Sequence, residues 1–112
     1  MPALDLPPAY QRLTQTLLAR YAPDAEVWAY GSRIHAAAHS GSDLDLVLRN
    51  PIHPNQAQPR LHQLTDAIEE SNLPILVHVH DWALLPEHFR REIERAHVAL
   101  QTPRVASVAE EP

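Results

Sequence analysis

Residues 26–48 read EVWAYGSRIHAAAHSGSDLDLVL, and this stretch decides the fold. Residues 25–30 are rich in side chains that favour β-structure and stop at Gly31-Ser32, which predicts a buried strand followed by a tight turn. Three consecutive alanines come soon after the turn and predict a short helix over residues 33–39. The stretch therefore begins as a strand, a turn and a helix.

A second strand follows over residues 43–48, and it carries two carboxylates. Leucines alternate with other residues there, which places Leu44, Leu46 and Leu48 on the core face and Asp43 and Asp45 on the other. Residues two apart on a strand have Cα atoms about 6.6 Å apart, so both carboxylates can converge on a hard cation. We predict Asp43 and Asp45 as catalytic residues that bind two Mg²⁺ ions, which would bridge the phosphates of a nucleoside triphosphate.

The turn between the two strands has features of a phosphate-binding loop. Glycine lets the backbone bend sharply and leaves room for a phosphate, while Ser32 has a hydroxyl and the helix start has free N–H groups. Arg33 adds positive charge, and Ser42 directly precedes the first carboxylate. We therefore predict Gly31, Ser32, Arg33 and Ser42 as nucleotide-binding residues.

The remaining elements surround this unit on both sides. Helices are predicted from Pro8 to the Pro23 turn, from Leu61 to Ser71, and from Pro86 to Ala96, and strands over Pro74–His80 and Val98–Leu100. In the last helix, Phe89, Ile93 and Ala96 are expected to face inward and Arg90, Arg91 and Arg95 to face solvent. This order indicates a single α/β or α+β domain over residues 1–101 and a disordered tail over residues 102–112.

The composition excludes several kinds of function. The 112 residues include only two glycines, no lysine and no cysteine, which excludes a P-loop, a dinucleotide-binding fingerprint and thiol chemistry. A net charge of -5 argues against direct nucleic-acid binding and against binding to an anionic membrane. The sequence has no apolar run of bilayer length and no signal peptide, so we expect a cytoplasmic protein with no membrane contact.

The motifs described above resemble those of a known family. Tyr30-Gly31-Ser32-Arg33 and Ser42-Asp43-Leu44-Asp45-Leu46 are similar to the signature of the DNA polymerase beta-like nucleotidyltransferase superfamily, and His80-Asp81-Trp82 with the helix after it resembles its minimal nucleotidyltransferase (MNT) branch. The resemblance implies a small mixed β-sheet with helices packed on one face. It also implies Mg²⁺-dependent transfer of AMP from ATP to a tyrosine hydroxyl of a HEPN-domain toxin, for which the protein would be the antitoxin.

The resemblance leaves one ligand and two alternative functions open. The superfamily has a third carboxylate on a later strand, where this chain offers His78 or, close by, Asp81 as the possible third ligand. A histidine there favours, as one alternative, a degenerate nucleotidyltransferase that neutralises the toxin by binding alone. The other alternative is a nucleotidyltransferase subunit that modifies a small molecule.

Overall fold

The computed structural model describes residues 3–35 and 41–103. The elements in these residues, in chain order, are α1 (Pro8–Tyr21), β1 (Glu26–Tyr30), β2 (Leu44–Arg49), α2 (Leu61–Glu69), β3 (Val77–Asp81), α3 (Glu87–Arg95) and β4 (Val98–Gln101). A first 3₁₀ turn, Gly31–Ile34, follows β1, and a second, Trp82–Leu84, follows β3. No helix in the described part of the chain has the length and apolar character needed to cross a membrane.

The four strands form one mixed sheet in the order β3-β2-β1-β4. The β2 and β3 strands run parallel, whereas β1 is antiparallel to both of its neighbours. This register places Tyr30, Asp45 and His78 side by side across three strands. The fold class predicted from the sequence, a small mixed sheet with helices, is confirmed.

The main core lies between α1, α2 and one face of the sheet. The three leucines predicted to face the core from β2 are fully buried. They pack with apolar residues of the neighbouring elements, among them Leu18 of α1, Leu64 and Ile68 of α2, Val27 and Ala29 of β1, and Leu100 of β4. Burial of this surface is the main favourable contribution to folding.

The opposite face of the sheet has its own small apolar cluster. Val47 is fully buried on the face that carries the two carboxylates, and it packs with Trp82 and with Ile93 of α3. The prediction that the helices pack on one face of the sheet therefore holds for α1 and α2. The third helix, α3, covers part of the other face. The prediction that Phe89 faces the core is wrong, because its side chain is 37% exposed and its ring lies against Tyr30 at the edge of α3 and not in the apolar cluster.

Other local differences have simple causes. The helix predicted over residues 33–39 is a 3₁₀ turn as far as Ile34, and residues 36–40 lie outside the described residues. Arg90 does not point freely to solvent, because its guanidinium donates hydrogen bonds to the backbone of Trp82 and the side chain of Asn55. The predicted tail lies outside the described part of the chain from residue 104 onward.

Candidate active site

Asp43, Asp45 and His78 lie together at one end of the sheet. Asp45 on β2 is paired in register with His78 on β3, so both side chains project from the same face. The Nε2 atom of His78 lies 2.8 Å from Oδ2 of Asp43, and about half of each of these two side chains is exposed. We call these three residues and Gly31 the carboxylate site.

Gly31 is the residue that lets the Asp45 carboxylate occupy its place. Its backbone has a φ of 83°, a conformation that other residues adopt only with strain. A Cβ at Gly31 would lie 2.6 Å from Oδ2 of Asp45, a distance that real Cβ contacts do not show. The turn therefore favours glycine, and a side chain at residue 31 would in addition force the Asp45 carboxylate to move.

Negative charge at this site is unfavourable in the folded protein. The pKa of Asp45 is raised above its ordinary value, chiefly because burial disfavours the charged form; nearby Asp43 adds to the rise, and His78 and His80 oppose it. Burial, together with the charge of Asp45, also raises the pKa of Tyr30 to about 12. The Tyr30 hydroxyl therefore stays protonated at physiological pH, and Asp45 gains from any cation that binds beside it.

Arg33 has a different place from the one predicted for it. Its side chain is buried, at 3% exposure, and does not extend toward a phosphate. Nε and Nη2 both donate to the carbonyl oxygen of Ser42, at 3.2 and 2.8 Å, and Nη1 donates to that of Asp5 at 2.9 Å. Arg33 thus fixes the backbone immediately before Asp43, which makes it a positioning residue and not a phosphate contact.

The other predicted residues are divided between the site and the fold. Ser32 is partly exposed in the first 3₁₀ turn next to Gly31, and Ser42 is buried, with its carbonyl held by Arg33.

Asp81 does not reach the site, because it lies three residues beyond His78 on β3 and therefore faces the other side of the sheet. Its two oxygens accept hydrogen bonds from the backbone N–H groups of Gln58 and Ala83, at 2.8 and 3.1 Å. The alternative of Asp81 as third ligand is therefore wrong.

Asp43 and Asp45 can hold a Mg²⁺ ion whose remaining ligands come from outside the protein. Among the described residues, no three side chains of His, Asp or Glu are grouped closely enough to hold an ion by themselves. Mg²⁺ sites, however, typically use one or two carboxylates and take further ligands from water and substrate phosphates. Asp43 and Asp45 supply those two carboxylates on one face, and the bare backbone of Gly31 leaves space beside them.

Sequence reasoning missed two aromatic residues near this site. Phe89 was assigned to the core, yet its ring meets that of Tyr30 edge-on, with centroids 6.0 Å apart. His80 lies 6.4 Å from Tyr30 and 6.5 Å from Phe89, between ring centroids. The sequence held no signal for this cluster, because its members come from three separate elements.

Comparison with known proteins identifies the family of the chain. Residues 11–111 match the family described as Nucleotidyltransferase domain. The chain is also 37% identical over 98 residues to a Haemophilus influenzae protein named "Probable protein adenylyltransferase MntA", an alignment that covers 88% of this chain and 84% of that relative. A protein whose glycine turn and paired carboxylates lie within a match of this length belongs to the nucleotidyltransferase domain family.

Proposed function

We propose that this protein transfers AMP from ATP to a tyrosine hydroxyl of a HEPN-domain toxin and so acts as its antitoxin. The observation that carries the proposal is the contact of Asp45 with Gly31, which holds a carboxylate against the turn where a phosphate tail would bind. The similar Haemophilus influenzae protein is named as a protein adenylyltransferase, which favours a protein as acceptor. The HEPN partner comes from the resemblance of the sequence to the MNT branch.

Each residue of the site has a role in this reaction. Asp43 and Asp45 would hold Mg²⁺, which neutralises phosphate charge and stabilises the attacking and leaving oxygens. Gly31 leaves room for the triphosphate, and the hydroxyl of Ser32 can donate a hydrogen bond to it. The acceptor oxygen forms a bond to the α-phosphorus as the bond to the leaving pyrophosphate breaks. His78 lies beside both carboxylates and can take the proton of the hydroxyl.

The direct test is a labelling reaction with the product of the neighbouring gene. The two proteins are mixed with Mg²⁺ and with ATP labelled at either the α- or the γ-phosphate. We expect label on the partner from α-labelled ATP only, because AMP transfer releases the γ-phosphate. Asp43→Asn should abolish the labelling, whereas Asp24→Asn, a control at an exposed aspartate outside the sheet, should not. Absence of label with the unmodified chain, or equal labelling by Asp43→Asn, would refute the enzymatic proposal.

A second candidate function, neutralisation by binding alone, is favoured by the hydrogen bond between His78 and Asp43. At 2.8 Å this bond occupies an oxygen that a metal ion would need. Under this alternative, Asp43→Asn would leave toxin neutralisation intact, and His78→Asp would create transfer activity that the unmodified chain lacks. Label on a small-molecule hydroxyl, with none on the partner protein, would instead support the small-molecule transferase.

A further inference from the structure

A cavity of about 310 Å³ lies between the first 3₁₀ turn and α3. Its walls are mainly apolar and aromatic and include Tyr30, Phe89, Ile93 and Ala96, while Glu92 and Arg95 stand at its polar rim. Gly31 also lines this cavity. Because Gly31 is the residue against which the Asp45 carboxylate packs, the cavity adjoins the carboxylate site directly.

Two aromatic side chains of this cavity contact each other and leave one ring partly exposed to solvent. Phe89 and Tyr30 meet edge-on, which is a favoured geometry for aromatic pairs. Phe89 nevertheless remains 37% exposed, although helical spacing places it one turn before the buried Ile93. A large apolar ring left in contact with water beside a reactive site is a common feature of ligand pockets.

We propose that this cavity holds the base and ribose of the nucleoside triphosphate, with the base stacked against Phe89. This inference rests on the proposed function and specifies its substrate subsite. Small-molecule pockets combine apolar walls with a few polar groups that orient the ligand, and a nucleobase has the matching form of an apolar face and a polar edge. Glu92 and Arg95 form an exposed ion pair with each other, and the second carboxylate oxygen and the other guanidinium N–H groups supply an acceptor and donors for that edge.

The chemistry of the cavity does not suit the polyphosphate tail. Phosphate oxygens would be desolvated against its apolar walls, which is unfavourable. The guanidinium of Arg95 at the rim is already paired with the carboxylate of Glu92, so the two charges largely cancel.

Binding measurements with ATP and with inorganic tripolyphosphate, each with Mg²⁺, separate the base from the phosphates. Loss of one stacked base is expected to weaken binding by about 5- to 150-fold. Phe89→Ala should therefore lower the affinity for ATP by that factor and leave the affinity for tripolyphosphate unchanged. Phe89→Tyr keeps the ring and should retain ATP affinity. Leu84→Ala is the matched control, because Leu84 is a 77% exposed apolar residue outside this cavity.

Each outcome has a distinct meaning. Equal affinity of the unmodified chain for ATP and tripolyphosphate, or unchanged ATP affinity in Phe89→Ala, would overturn the base subsite and leave the proposed function standing. Failure of the unmodified chain to bind either compound would overturn both proposals.

A second measurement needs no variant and so does not depend on how a variant folds. ATP with a photoreactive azide on the adenine ring should label residues 87–96 of α3 in the unmodified chain. Labelling confined to residues 73–81, at β3, would contradict the inference.

Discussion

At one end of β2, Asp43 and Asp45 lie on the sheet face that α3 covers only in part. Four residues beyond Asp45 on the same face, Arg49 contacts two tryptophan rings that meet each other edge-on. Its guanidinium carbon is 5.3 Å from the ring centroid of Trp28 and 5.4 Å from that of Trp82. We call these three residues the arginine stack.

The two regions differ in how their charges are compensated. In the arginine stack, the charge of Arg49 is compensated by an ion pair with Glu26 and by contacts with two aromatic rings, although its buried Nε has no hydrogen-bond partner among the described residues. The carboxylate site instead partly buries Asp45 and places Asp43 beside it, and both raise the pKa of Asp45. Arg49 at one end of β2 thus stabilises the fold, whereas ionised Asp45 at the other end destabilises it. We expect a cation and a phosphate to bind beside Asp45.

The largest expected effect is on the reaction at the carboxylate site. Asp45→Asn should lower AMP transfer by at least about 100-fold, because a metal ion contributes several kcal/mol of charge stabilisation and one of its two carboxylates is lost. The fold should remain at least as stable as before, since an unfavourable charge is removed. Initial rates and urea midpoints measured on the same samples check both statements. A rate within a few-fold of the unmodified chain would place the metal elsewhere.

Gly31→Ala should be destabilising through two separable causes. A residue with a side chain held at a φ of 83° costs about 1 to 3 kcal/mol, and the new Cβ also collides with Oδ2 of Asp45. A double-mutant cycle with Asp45→Ala separates them, because truncation removes the colliding oxygen and leaves only the backbone strain. Urea denaturation of the unmodified chain, the two single variants and the double variant gives the free energies of unfolding that the cycle needs. Purely additive effects would show that the Cβ introduced at residue 31 does not collide with Asp45.

Arg49→Lys tests the other region. Lysine keeps the charge but lacks the planar guanidinium that contacts both Trp28 and Trp82, so two cation–π contacts are weakened at about 0.5 to 1 kcal/mol each. We expect a loss of about 1 to 2 kcal/mol in the free energy of unfolding, with an unchanged rate of AMP transfer. Arg91→Lys is the control, because Arg91 forms only an exposed ion pair with Glu87. Equal destabilisation by the two substitutions would remove the distinction between the regions.

The carboxylate site was more accessible to prediction than the arginine stack because its residues are close in sequence. The alternation of Leu44, Leu46 and Leu48 with Asp43 and Asp45 fixes which side chains share a face, and the burial of all three leucines confirms it. The pairing of Asp45 with His78 could not be predicted with the same certainty. It depends on the register of two parallel strands joined by a long connection, which no local pattern determines.

Arg33 and Arg49 show what sequence reasoning cannot supply. Both are arginines next to polar or aromatic residues, and charge alone predicts an exposed side chain for each. The structure buries Arg33 against two backbone carbonyls and places Arg49 beside two rings, one from β1 and one from the second 3₁₀ turn. These partners are distant in sequence, so they can be identified only after the strands have been paired.

The smallest expected effect is the pH dependence of stability that Asp45 contributes. Its pKa is raised in the folded state, so the folded protein binds a proton at a higher pH than the unfolded chain does. Ionised Asp45 therefore lowers stability above its folded pKa, and this penalty disappears as the pH falls through that value toward the unfolded value of about 3.9. In buffer with a chelator, Asp45→Asn should be more stable than the unmodified chain near neutral pH, and the two stabilities should converge near about pH 4. Urea midpoints across this range measure the difference. A gap that widens on acidification would mean that the folded state stabilises the charge, and the contrast between the carboxylate site and the arginine stack would then be lost.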